Sequence, residues 1–237
     1  MLAVFVNMAT VIIGTCLGIL FRKRLKQQYI TTILSALGLV TIMIGVSSAI
    51  VTSEIIAVII CLVLGTIIGE LLKIENRVEN AGDFIKTKVF KNSTADNKFT
   101  EGFVFASILF CVGSMTIMGS LEAGINKNYD IIFAKSALDF ASAAAYGAAM
   151  GIGVAFSALF IFVFQGGITL ASGALAPILS TAIVTEMSAI GGVILIGMGF
   201  NMLGFSEHRI KVANMLPAIF LPIAYFPLAN WISGVLG

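Results

Sequence analysis

Lys135 and Asp139 lie four residues apart inside an apolar run, the spacing that puts two side chains on one helical face where they can pair. A charge at bilayer depth costs on the order of 2.5–3.5 kcal/mol on insertion scales, so each needs a reason to be there. Asp139 falls about 12 Å below the start of its run at helical rise. Ser136 and Ser142 lie close to the same face. One chemistry is a substrate or ion site whose carboxylate is neutralised by Lys135 until cargo or a proton arrives. The other is a buried ion pair that fixes helix packing.

A second group of polar residues interrupts the apolar stretches. Ser114 and Thr116 stand between Gly113 and Gly119, and Gln165, Gly166, Gly167 and Thr169 follow Phe164. A double glycine inside a span is expected to weaken or break the helix, and exposed backbone at that depth survives only inside protein or along a wet cavity. Such segments point to a transport site, with close packing of small residues as the alternative. For Gly14 with Gly18 and Gly65 with Gly69, packing is the expectation.

Near the end of the sequence, Pro217, Pro222 and Pro227 each remove an amide donor and free the carbonyls of Ala213, Ala218 and Ile223, beside Asn201 and Asn214. Freed carbonyls and amides suit a hydrated or partly dehydrated cation; in a merely kinked helix, neighbouring hydroxyls satisfy them equally well. Asn7 is a third amide of this kind. Glu70, Glu122 and Glu186 fall near run ends and read as interfacial, although Glu70 follows Gly69 closely enough to pack inward.

Other chemistry is excluded by residue type. Cys16, Cys61 and Cys111 all sit in apolar runs, which suggests neither a disulfide framework nor a metal site. His208, the single histidine, adjoins Arg209 in a polar turn and reads as a solvated group. With no cysteine–histidine cluster, an enzyme is not expected, and no cofactor beyond a bound monovalent cation. The absence of a phosphate-cradling glycine loop argues against primary pumping by this chain.

The elements that must position these residues are membrane helices. Apolar residues make up 59% and charged residues 11% of the sequence, with a mean hydropathy of +1.06; a soluble domain holds about 25% charged residues. A net charge of +2 is too small to argue for nucleic acid. Runs near the bilayer-crossing length of about 20 residues fall at 2–21, 30–51, 54–72, 101–119, 131–150, 151–173, 188–205 and 212–236. The expected fold is therefore an all-α polytopic bundle of eight spans, or seven where the glycine-punctuated stretch 131–176 is divided differently. Arg22, Lys23, Arg24, Lys26, the basic residues from Lys73 to Lys98, Arg209 and Lys211 then share one side, the cytoplasm, which puts both termini outside. Only Lys127 and Lys135 remain toward the other side. No basic residue precedes the first run, so it is not expected to be a cleaved signal peptide. Ile74, Val78, Ala81, Ile85 and Val89 predict an amphipathic helix on the cytoplasmic surface, followed by a flexible loop at 92–97.

An internal repeat refines this picture. Ser35 through Val40 resembles Ser188 through Val193, and the same spacing sets Gly14 on Gly167, Thr32 on Thr185, Ser53 on Ser206 and Glu54 on Glu207. Spans one to three then match spans six to eight, upside down, as in the inverted repeats of many secondary transporters. The expected organisation is repeat one at 1–72, the surface helix and loop at 73–100, two inserted spans at 101–150 and repeat two at 151–237.

The segments Gly14–Gly18, Gly102–Ser107, Phe110–Met115, Lys135–Asp139, Gly151–Ser157, Gln165–Gly166, Ser188–Gly192 and Val212–Pro217, with Asn7 and Gly65–Glu70, resemble in order and spacing the bacterial family of domain of unknown function 554, across essentially the whole sequence. The resemblance implies a sodium channel or pump with a link to biofilm behaviour, and it carries no assigned site residues. The expected function is a secondary transporter or channel in a bacterial inner membrane. It would move a small ion, sodium by that resemblance, or a small polar solute at a midplane site. The alternative is a non-transporting structural or partner subunit. The small-residue faces also admit a homodimer.

Overall fold

Apolar runs in lipid have no water to satisfy their backbone, so each must close its hydrogen bonds within itself, and a helix does so. The computed structural model describes residues 1–22, 24, 26–89, 99–205 and 209–236, and among them every regular element is helical. The expected loop at 92–97 and residues Lys23, Lys91, Lys98, Ser206, Glu207 and His208 lie outside the described residues.

In order the elements are α1 (Leu2–Arg22), α2 (Gln27–Ala49), α3 (Ile55–Leu71), α4 (Ile74–Val89), α5 (Phe99–Val112), α6 (Ser114–Ile125), α7 (Asp130–Met150), α8 (Gly153–Leu170), the short α9 (Ser172–Leu175), α10 (Thr181–Leu203), a 3-10 helix η1 (Val212–Phe220) and α11 (Pro222–Leu236). Helices α1, α2, α8 and α10 are each long and apolar enough to cross a membrane. Three bent pairs qualify when taken as single spans, which raises the number of candidate spans from 4 to 7. The bends are 58° between α3 and α4, 62° between α5 and α6, and 46° between η1 and α11.

Each bend has a local cause. Lys73 takes a left-handed φ of 51° between α3 and α4, turning the amphipathic α4 away from the apolar α3. Gly113 adopts extended backbone (φ −69°, ψ 146°) between α5 and α6, dividing the span expected at 101–119. Pro222 starts α11 where η1 ends, because proline has no amide to continue the ladder. The turn between α7 and α8 is Gly151 at φ 85°, a conformation that favours glycine, and it falls at the boundary expected between 131–150 and 151–173. The helix expected at 188–205 begins earlier, at Thr181, where the Ser180 hydroxyl caps it by accepting from the Ile183 amide.

Small residues bring the helices together, since lipid tails are as apolar as leucine and offer no hydrophobic drive between them. α1 and α7 run parallel: Gly14 packs on Phe140 and Ala143, and Gly18 on Ala144 and Ala148. α2 and α10 run antiparallel, with Gly45 on Gly192 and Gly38 on Gly199; a Cβ on Gly45 would sit 2.7 Å from the Gly192 carbonyl oxygen. α3 and η1 are likewise antiparallel, with Gly65 against Ala218 and Gly69 against Asn214. α8 starts beside Phe99 of α5 and ends beside Gly124 of α6, so the broken pair α5–α6 follows α8 along its length. The main core gathers Phe105, Phe110, Tyr146, Ile161, Ile190 and Ile194 at the centre of these contacts.

Candidate functional site

The residues that could do chemistry converge where α1, α5, α7 and α8 meet. One turn of α7 brings Lys135 onto Asp139 as an ion pair, with their side chains only 7% and 10% exposed. The Lys135 ammonium also lies over the Phe110 ring of α5, 5.8 Å from its centroid. From α1, the fully buried Asn7 faces the Asp139 carboxylate and donates its Nδ2 to Oε1 of the fully buried Gln165 of α8 at 3.1 Å. Asn7 stands about 8 Å along α1 and Asp139 about 13 Å along α7 at helical rise. The cluster thus lies between one end of the bundle and its middle.

Three buried polar atoms here have no partner among the described residues: Asn7 Oδ1, Gln165 Nε2 and Thr169 Oγ1. Leaving such a group unmade costs about 1–3 kcal/mol each. Whichever way the two amides are turned, the pair offers one free acceptor and one free donor. Together with the carboxylate, that set can ligate a cation or orient a small polar molecule.

Other expected residues are committed elsewhere. Ser136 is buried but donates to the Ile132 carbonyl at 2.7 Å. Thr116 donates to the Phe110 carbonyl at 2.9 Å, satisfying a group that the break at Gly113 would leave open, and Ser114 is exposed on the bundle surface. The double glycine does not break α8, which runs unbroken from Gly153 to Leu170. A glycine lowers helix stability by roughly 1 kcal/mol, less than the cost of unpaired backbone in an apolar setting. Gly166 is buried beside Val4 and Met1, while a Cβ on Gly167 would meet nothing within 4 Å.

Asn201 and Asn214 are not ligands of this cluster. Asn201 clamps Ile210 from both sides, donating to its carbonyl and accepting from its amide at 2.8 Å each. Asn214 accepts from the Glu75 amide at 2.7 Å and donates to Glu70, which also pairs with Lys211 at 2.9 Å. Asn201 thus pins the α10–η1 loop to α10, and Asn214 ties the start of η1 to the α3–α4 turn, at the end of the bundle where basic residues collect. Glu75 strengthens this tie by accepting the Ala213 amide at 2.8 Å. Burial pushes the Glu75 carboxyl above its ordinary value of 4.5 despite that bond. A cavity of about 240 Å³ at this end is lined by Glu75, Glu79, Asp83 and Glu101 with Arg209, a field that favours cations.

Glu186 was expected at an interface and is instead fully buried. It accepts from the amides of Ser53 (2.9 Å) and Glu54 (3.2 Å) and from the hydroxyls of Thr52 and Ser53. It thereby caps the N-terminus of α3 from α10. Its position in the sequence carries no sign of this, because the partners lie more than a hundred residues away.

No solved structure matches this fold. Among curated proteins, the chain is 26% identical over 222 residues to an uncharacterised membrane protein, YdfK, of Bacillus subtilis, covering 91% of each. It is 28% identical over 220 residues to an uncharacterised protein, YqgA, of Escherichia coli, covering 92% of each. The relatives and the apolar helices together make it a membrane protein. The family model described as "protein of unknown function (DUF554)" matches residues 2–226, and the chain belongs to that family.

Proposed function

We propose that this protein is a secondary transporter or channel for a small cation, sodium being the first to test, or for a small polar solute. The observation that carries the reading is the buried Lys135–Asp139 pair flanked by the unpartnered amide groups of Asn7 and Gln165. On this reading the protein is not an enzyme and needs no cofactor, and a cation takes the place of the Lys135 ammonium at Asp139.

The reading includes eight crossings and two inverted repeats in a bacterial inner membrane, with both termini outside. α7, at 21 residues, has the length of a span and packs along α1, although Lys135 and Asp139 lower its hydropathy. The interval from Ser35 to Ser188 also separates Gly65 from Ala218, which are in contact where α3 crosses η1. It separates Ile42 from Leu195 as well, and the Gly38–Gly199 and Gly45–Gly192 contacts bracket that pair where α2 crosses α10. Two helix pairs equated by the repeat therefore cross antiparallel at equivalent residues, as a two-fold axis in the membrane plane requires. The nine-residue 3-10 stretch of η1 is longer than such helices usually run, and suits a hinge.

The test is reconstitution into vesicles under sodium, potassium and proton gradients. Wild-type flux that Asp139→Asn and Gln165→Leu each lower tenfold or more, in folded protein, supports the reading. No flux under any gradient, with Asp139→Asn leaving ligand-dependent stability unchanged, overturns it. A second reading, the non-transporting structural subunit, draws on one observation: none of the three cavities described for this structure is lined by Asn7, Lys135, Asp139 or Gln165.

A further inference from the structure

α4 separates two cavities of opposite character. Glu75, Glu79 and Asp83 line the acidic one. Arg77 and Ala81 line the other, an apolar groove of about 300 Å³ between α4, α5, α8 and η1, within the size range of small-molecule sites. Its walls include Phe103, Phe160, Phe164 and Phe220, with the rings of Phe160 and Phe220 each 6.3 Å from that of Phe164. Phe160 and Phe220 are also exposed on the bundle surface, so the groove opens toward the bilayer. Two polar groups line it. Arg77 is exposed and makes no ion pair with a described residue. Ser107 is 5% exposed, and its hydroxyl, unlike that of Ser136, has no hydrogen-bond partner among the described residues.

We infer that this groove binds one anionic phospholipid of the leaflet beside α4, independently of any cargo the protein moves. The Arg77 guanidinium takes the phosphate. The Ser107 hydroxyl donates to an ester oxygen, and the acyl chain leaves between Phe160 and Phe220 into the bilayer. The charge pattern selects the headgroup, because the three carboxylates of α4 are turned into the neighbouring cavity and only a cation faces the groove. Membrane-surface helices with basic residues attract anionic lipid by the same physics.

The protein is reconstituted into vesicles of phosphatidylglycerol and phosphatidylcholine in equal amounts, gently extracted, and its retained lipid measured by mass spectrometry. Wild type retains phosphatidylglycerol in excess, and Arg77→Ala lowers that excess about fivefold, the contribution of one basic group near an anionic surface. Ser107→Phe, or Ala81→Trp where that variant does not fold, fills the groove and removes the retained lipid from monodisperse protein. Equal retention of both lipids by wild type, retention of free fatty acid alone, or an unchanged excess in Arg77→Ala overturns the assignment.

Discussion

Removing one partner of the Lys135–Asp139 pair asks what the low-dielectric interior charges for a lone ion. With side-chain exposures of 7% and 10%, water does little to screen either charge. Breaking such a pair costs about 3–5 kcal/mol. Lys135→Met leaves the carboxylate with only the Asn7 amide, and it sheds part of the penalty by taking up a proton, so about 3 kcal/mol is expected. Asp139→Leu leaves the ammonium over Phe110, whose ring returns roughly 1–2 kcal/mol, for a similar net loss. The double variant Lys135→Met/Asp139→Leu buries no charge and is expected within about 1 kcal/mol of wild type. The measurement is reversible unfolding in mild detergent, arranged as a double-mutant cycle. Single variants that each lose less than about 1 kcal/mol would refute the claim that the pair is desolvated. The double variant also separates the two functions: folded protein without flux marks a transport site, and wild-type flux removes these residues from it.

Two further predictions rest on other parts of the bundle. Gly69 packs directly on the Asn214 backbone and Gly167 faces open space. In thermal unfolding, Gly69→Ala is therefore expected to lose about 1–3 kcal/mol by overpacking, whereas Gly167→Ala gains about 0.5–1 kcal/mol; equal effects would contradict the packing described. The raised Glu75 carboxyl binds its proton more tightly in the folded state than in the unfolded one. Its contribution is thus greatest at low pH and is lost as pH rises from 4.5 through the higher folded value. Glu75→Gln should flatten that limb of the melting temperature against pH, and parallel profiles for the two proteins would count against it.

Sequence revealed what one helix can encode. Lys135 and Asp139 were legible because their spacing alone puts them in contact, and Gly14, Gly18, Gly65 and Gly69 because small residues at one-turn spacing make a packing face. The partnership of Asn7 with Gln165 spans two distant helices and was visible only as two separate amides in apolar surroundings. Gly166 and Gly167 misled for a physical reason: glycine weakens a helix where water can replace the lost bonds, and no water replaces them inside the bundle. The prolines pointed to a real departure from α-helix, the 3-10 stretch of η1, but Asn201 and Asn214 beside it hold loops together rather than ligands.

The location of the unpartnered amides bears on how transport would work. Asn7 belongs to α1 and Gln165 to α8, which open the two proposed repeats, and their hydrogen bond joins one repeat to the other. Lys135 and Asp139 stand on α7, which is packed lengthwise on α1. On the proposed reading, rocking of one repeat against the other would change the distance between Gln165 and the Asp139 carboxylate. A cation that takes the ammonium's place at the carboxylate would then be held by Gln165 in one arrangement and released in the other, as the proposed alternating access requires. The caps at the two ends suit the same motion. Glu186 holds the α2–α3 loop to α10 at one end, and Glu70 and Glu75 hold the start of η1 to the α3–α4 turn at the other. Each joins one repeat, or the α4 connector that leaves it, to the other, so opening either end means breaking a carboxylate's bonds to backbone or side-chain donors.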